Sequence, residues 1–341
     1  MSGEHVTVAR AEPAEHLPGG SRRTDASDDE VYPRTNAGNE GNGEMRKLFT
    51  MAVLAAGLIA IPAAASASSQ VPPVPPPAGV ALGGPLQYAP AINAPVMGGT
   101  PRGLEKVNNG TNLSSNWSGY ADLPDSGKSF SNVSATFTIP KFSTAESNEC
   151  RASGAVDSYR QSDSSYWVGI DGFNTNTVEQ TGVDQYCVAG GTGLYAWYEM
   201  YPLNPVAFTG VRPGDQIYVS VTYSSVTHKY ALYLKDKTNG GFISTSQSCP
   251  SGSKCGNSSA EVIAEAPGSG APSLYLANFG TVSFSGAVVK GSGVTGNLHS
   301  SSAWKGSNDI IMAYPSFQHM ATPSGLDSTG AAFSAAFNWP Y

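Results

Sequence analysis

The chain is short of charge. Charged residues are 13% of it, about half the usual share in a soluble protein. The balance is acidic, with a net charge of −7. No Lys/Arg cluster offers a footprint for phosphate backbones, so no nucleic-acid partner is expected. Histidine is scarce too. Beyond the N-terminal region only His228, His299 and His319 remain, without ligand spacing, and no C-x-x-C pair occurs, so neither a metal nor another cofactor is expected. The G-x-S-x-G elbow, the H-E-x-x-H helix and a phosphate-cradling glycine loop are all missing, which removes several hydrolase and nucleotide-binding classes. Convincing i, i+3, i+4 apolar patterns are also lacking, which argues against helices.

One long apolar run is present. Met45-Arg46-Lys47 precedes an apolar stretch over 48–65 that exits through Ala65-Ser66-Ala67. A basic start, an apolar middle and an A-x-A exit read as a signal peptide over 45–67. Gly57 and Pro62 interrupt the run and no basic stop-transfer flank follows, so a membrane anchor is not expected. The expected destination is extracellular. Residues 1–44 are polar and read as a disordered or mis-called upstream extension, with Met45 as the start. Residues 68–111 open on Val71-Pro72-Pro73-Val74-Pro75-Pro76-Pro77 and read as a Pro/Gly-rich linker or pro-segment. Folded sequence is expected over 112–341, as one monomeric domain.

The cysteines are few: Cys150, Cys187, Cys249 and Cys255, all beyond the signal peptide. Four allow three connectivities. The favoured one joins Cys249 to Cys255 and Cys150 to Cys187, as an oxidising compartment permits.

What is abundant is two-residue alternation. Val133, Ala135, Phe137 and Ile139 alternate with Ser134, Thr136 and Thr138, and Ile217, Val219, Val221 and Tyr223 alternate with Tyr218, Ser220 and Thr222. Such segments are half-buried strands. Further strands are expected over 166–170, 178–183, 195–201, 230–234, 260–266, 274–279, 281–289, 310–314 and 332–338. Many short strands broken by Asp-Gly, Asn-Gly-Gly and Pro-Gly turns predict an all-β antiparallel β-sandwich. Asp125-Ser126-Gly127 has the form of an aspartic-peptidase turn, but that chemistry needs two such aspartates sharing a proton, so this one reads as a β-turn.

Strand parity then groups side chains. Glu199 shares a face with Tyr195, Trp197 and Tyr201; Glu261 and Glu265 share one with Ile263; Gln180 shares one with Val178 and Gly182. Converging on the concave side of one bent sheet, these faces would make a cleft with aromatic walls and a few polar groups. Parity alone favours reading Glu199, Glu261 and Glu265 as solvated strand residues. A carbohydrate-binding module with an aromatic platform would carry the same tryptophans.

Several ordered motifs resemble one family. They are Asn116-Trp117-Ser118-Gly119-Tyr120, Tyr166-Trp167-Val168-Gly169-Ile170-Asp171-Gly172, Gln180-Thr181-Gly182-Val183-Asp184, Ala196-Trp197-Tyr198-Glu199-Met200-Tyr201-Pro202, Ala260-Glu261-Val262-Ile263-Ala264-Glu265 and Leu276-Ala277-Asn278-Phe279-Gly280-Thr281-Val282. In this order they are similar to the glutamic peptidases, or eqolisins, in a bacterial-type secreted form. The resemblance implies two curved antiparallel sheets in a concanavalin-like jelly roll and an acid-acting secreted endopeptidase of polypeptides. It implies a catalytic dyad of Gln180 and Glu265. Glu265 would act on water as base and then on the amine as acid, and Gln180 would position the water and bind the oxyanion. An amide does not titrate, so it remains a donor in acid. Trp117, Trp167 and Trp197 are candidate cleft walls. Asp171, Asp184 and Glu199 are candidate substrate-side residues that, as neighbours, would raise one another's pKa values. The chain departs from the pattern at Val262 and Ala264, where bulkier residues are usual, and at Glu179, where an apolar one is.

Overall fold

The computed structural model describes residues 84–89, 101, 104–107, 110–142, 162–188, 191–268, 275–299, 301–313 and 318–338. The expected signal peptide, the upstream extension and Cys150 lie outside these residues. Among the described residues the chain forms strands: β1 (Gln87–Tyr88), β2 (Glu105–Lys106), β3 (Thr111–Ser114), β4 (Trp117–Pro124), β5 (Phe130–Thr138), β6 (Ser162–Ile170), β7 (Val178–Val188), β8 (Gly191–Tyr201), β9 (Val206–Thr209), β10 (Gln216–Ser224), β11 (Lys229–Asp236), β12 (Phe242–Ser248), β13 (Ala260–Glu265), β14 (Tyr275–Leu276), β15 (Thr281–Gly291), β16 (Val294–Gly296), β17 (Trp304–Ala313), β18 (His319–Pro323) and β19 (Phe333–Phe337).

Two layers result. One runs β9-β8-β7-β6-β13-β4-β17 and the other β12-β11-β10-β5-β15-β19, and β18 pairs with both β17 and β19 to join them along one edge. Nearly all pairing is antiparallel. The alternation seen in sequence sets the layers together: Val133, Ala135 and Phe137 of β5 and Ile217, Val219 and Val221 of β10 meet Tyr166, Val168, Val262 and Ala264 in the main core. Aromatic rings fill the seam, with Phe137 against Tyr166 and Phe284.

Strand β13 is buried along its whole length. Its Val262 and Ala264 face the sandwich core, while Ile263 joins Trp117, Trp167, Tyr195 and Trp197 in a second cluster on the other face of the same sheet. The solvated-strand reading of Glu261 and Glu265 is therefore corrected: neither side of this strand meets water.

Chain upstream of the sandwich is also anchored. Gln87 and Tyr88 pair with Thr209 and Phe208 at the β9 edge, and Leu86 N donates to Phe242 O at 2.9 Å. Glu105 and Lys106 pair with Leu113 and Asn112, and Leu104 packs against the second aromatic cluster.

Beside the expected Cys249–Cys255 disulfide, Cys187 is bonded too; its expected partner Cys150 is outside the described residues. Asp125 begins a turn in which Lys128 N donates to its carbonyl at 2.9 Å, as the lone Asp-Ser-Gly suggests.

Candidate active site

Directly paired residues of an antiparallel sheet project to the same side, so register alone assembles this site. Glu265, Ser165, Asp184 and Tyr195 form one row across β13, β6, β7 and β8. Ile263, Trp167, Gly182 and Trp197 form the next, and Glu261, Gly169, Gln180 and Glu199 the third. Trp117 pairs with Glu265 from β4. The polar-bearing faces named from parity thus coincide on one face.

Two glycines make room on it. A Cβ at Gly182 would lie 2.2 Å from Tyr166 O and 2.5 Å from Trp167 Cβ. One at Gly169 would lie 2.9 Å from Trp167 Cζ3 and 3.3 Å from Gln180 Cβ. The absence of those carbons leaves room for the Trp167 side chain, whose Nε1 donates to Glu265. Trp117 meets that indole edge-on at 5.0 Å, an arrangement that contributes about 0.5–1.5 kcal/mol beyond area burial.

The Glu265 carboxylate accepts from Trp167 Nε1 at 2.8 Å on Oε2 and from Asn116 Nδ2 at 3.2 Å on Oε1. Gln180 Nε2 donates to Glu199 Oε2 at 2.6 Å. Gln180 Oε1 and the indole nitrogens of Trp117 and Trp197 are buried with no hydrogen-bond partner among the described residues. Groups like these cost about 1–3 kcal/mol each when unsatisfied, and they are donors and acceptors that a bound ligand or a water can meet.

Three of the expected site acids separate. Asp184 lies beside Asp163 and Glu265; burial first, then these two carboxyls, push its pKa well above the ordinary range. Glu199 is the partner of Gln180. Asp171, with φ of 70°, turns away from the sheet and accepts from Gly256 N, Asn257 N, Ser258 N and Ser258 Oγ at 2.7, 2.8, 2.7 and 2.9 Å. It braces the segment leading into β13. Its acidic neighbours are Glu179 and Glu261: burial, then Asp171, raises Glu179 to about 10, and burial raises Glu261 well above its usual value, with Asp171 and Glu179 adding. The expectation that Asp171, Asp184 and Glu199 tune one another is therefore corrected to two separate carboxyl groups plus an amide–carboxylate pair.

Sequence reasoning missed Asn116, Asp163 and Tyr195 as site residues. Asn116 stood inside a quoted motif, and Tyr195 shared the parity of Glu199. Asp163 lay in Ser162-Asp163-Ser164-Ser165, which has the composition of a loop.

Residues 115–312, more than half of the sequence, match the peptidase A4 family. The chain belongs to this family. It is similar to aspergillopepsin-2 of Aspergillus niger, 33% identical over 214 residues that cover 60% of this chain and 74% of that protein. Among solved structures it is similar to scytalido-glutamic peptidase bound to a peptide-based transition-state analog, at 29% identity and a TM-score of 0.51 over 66% of this chain and 98% of that one. SCP-B, an eqolisin in complex with the tripeptide Ala-Ile-His, is similar at 27% identity and a TM-score of 0.50, with the same coverages. Family membership makes the protein a glutamic endopeptidase acting on polypeptides and decides against a carbohydrate-binding module.

Proposed function

We propose that the protein is a secreted peptidase working in acid, with Glu265 and Gln180 as its dyad. Glu265 takes one proton from water as the water oxygen attacks the scissile carbonyl carbon. The carbonyl becomes an oxyanion, and Glu265 returns the proton to the nitrogen as the C–N bond breaks. Gln180 keeps its amide NH₂ turned toward Glu199, with one N–H left for the oxyanion, and offers Oε1 to the attacking water.

The observation that carries this reading is the pair of N–H donors on Glu265, since a carboxylate gripped by two donors is an acceptor in a fixed place. Glu265 on β13 and Gln180 on β7 stand on the same face with β6 between them, so a peptide lying across β6 would meet both. The Cys249–Cys255 disulfide suits an oxidising exterior. The raised carboxyls of Asp184, Glu179 and Glu261 would all hold their protons in acid.

Residues 68–111 are proposed as a pro-segment. Its Gln87–Tyr88 strand pairs with β9, on the layer that carries the dyad, and Gln180, Glu265 and Trp197 have no solvent exposure in the full chain, whereas a polypeptide substrate needs access to them.

Denatured casein is the test substrate. The expected result is cleavage at acid pH that chelators and aspartic-peptidase inhibitors leave unchanged and that Glu265→Gln abolishes. Activity surviving in Glu265→Gln overturns the assignment.

A further inference from the structure

Trp167 reaches Glu265 from inside the sheet, but the second donor comes from outside any strand. Asn116 sits in the two-residue break between Ser114, the end of β3, and Trp117, the start of β4. It is fully buried there. Its backbone is fixed at both polar groups: Asn116 N donates to Ser114 Oγ at 3.3 Å, and its carbonyl accepts from Ala266 N at 2.8 Å, the residue after Glu265. Trp117 N also donates to Ser114 Oγ, at 3.1 Å.

The side chain is fixed as well. Ser114 Oγ donates to Asn116 Oδ1 at 3.0 Å. With the amide oxygen engaged by a hydroxyl, the NH₂ end is the end that meets Glu265 Oε1. A serine thus sets which way an asparagine points, and the asparagine sets where a carboxylate oxygen lies. Asn116 immediately precedes Trp117, which is paired with Glu265, so regular strand parity would send its side chain to the opposite face; the break before β4 lets it reach Glu265.

We propose that Asn116, oriented by Ser114, is a positioning residue that holds Glu265 Oε1 as a proton acceptor. This rests on Glu265 being the base. An N–H donor favours the ionised carboxyl over the protonated one, so Asn116 keeps Glu265 competent further into acid than burial alone would allow. The other titratable groups facing Glu265 among the described residues are Asp184 on β7, Asp163 on β6 and Tyr195 on β8, with Glu261 on its own strand. All are acids, whose charges oppose ionisation of Glu265, and the two N–H donors act against them.

The test is the pH profile of kcat/KM for casein-derived peptide cleavage. Asn116→Ala is expected to move the acid limb upward by about one pH unit, a tenfold change in proton affinity, with KM little changed. Ser114→Ala should move it the same way by less, and it serves in place of the first variant if Asn116→Ala does not fold. Both profiles are compared at matched far-UV circular dichroism. An acid limb that stays put in the folded variants overturns the positioning role, provided Glu265→Gln is inactive. Should Glu265→Gln remain active, the dyad reading falls, and this one with it.

Discussion

Gln180 and Glu199 face each other across β7 and β8, and the amide of the first donates to the carboxylate of the second at 2.6 Å. A carboxylate oxygen can only accept, so this bond fixes which end of the Gln180 amide is nitrogen and leaves Oε1 pointing elsewhere. Charge-assisted hydrogen bonds contribute about 1.5–3 kcal/mol. Losing the orientation of Gln180 in the transition state would then cost ~10–100-fold in rate. Glu199→Gln is expected to lower kcat by that much while KM stays close to wild type, because substrate binding does not run through this bond. Steady-state kinetics at the acid optimum checks it, and an unchanged kcat would remove Glu199 from the site.

Gly182 is a second point where small changes should be felt. Any Cβ there meets a backbone carbonyl oxygen, Tyr166 O, at 2.2 Å, and backbone cannot rotate aside. Overpacking of this kind costs typically 1–3 kcal/mol, so Gly182→Ala should fall near or above the top of that range and tilt Trp167 away from Glu265. Gly325→Ala, with nothing within 4 Å of the added carbon, is the control, expected within about 0.5 kcal/mol of wild type. Urea midpoints of the two variants decide between a steric role for Gly182 and a tolerant one.

Much of the site was legible before the fold was known, and the reason is periodicity. Gln180, Glu199 and Glu265 sit on strands whose alternation assigns each a face, and ordered motifs tie the strands together. What could not be read is what depends on pairing between distant segments. Strand parity puts Glu179 on the face opposite Gln180, and it lies there, but its burial near Asp171 depends on a turn with positive φ. The first half of β6, Ser162 to Ser165, is poor in strand-forming residues and is held in place because β7 pairs along all of it, with β14 against Ser162 and Asp163 and β13 against Ser165. The expected strand over 274–279 shrinks to Tyr275–Leu276, and residue 274, like residue 314 of another expected strand, is outside the described residues. Asn116 belongs to no strand, so parity had nothing to say about it.

Leu104 gives a handle on the proposed pro-segment. It packs against the cluster that includes Trp117, Trp167 and Trp197, so a charge there would oppose docking without touching the sandwich itself. Leu104→Asp in the full chain should raise the initial rate of casein cleavage several-fold over wild type, before any shortening of the chain is visible on a gel. Equal initial rates for the two unprocessed chains would show that this contact does not restrain the site.

The buried acids set an unusual direction for stability. Glu179 is raised to about 10, and Glu261, Asp184 and Asp122 are raised above their ordinary values, in each case chiefly by burial. In the folded chain these groups keep protons that the unfolded chain releases near its ordinary carboxyl range. The unfolded state therefore binds fewer protons as pH climbs, and stability falls with pH, by up to about 1.4 kcal/mol per pH unit for each group inside its window. For Glu179 that window runs from 4.5 to about 10. Its contribution is fully present below the lower value and lost as pH rises through the upper one. The urea midpoint is expected to be higher at pH 3.5 than at pH 8, opposite to proteins whose carboxyls are ion-paired. Glu179→Gln should resemble wild type at pH 3.5 and exceed it at pH 8, because a glutamine keeps the neutral form at every pH. A midpoint that rises from pH 3.5 to pH 8 in the wild-type chain would mean that these carboxyls are ionised when folded, and that the site is not arranged for acid.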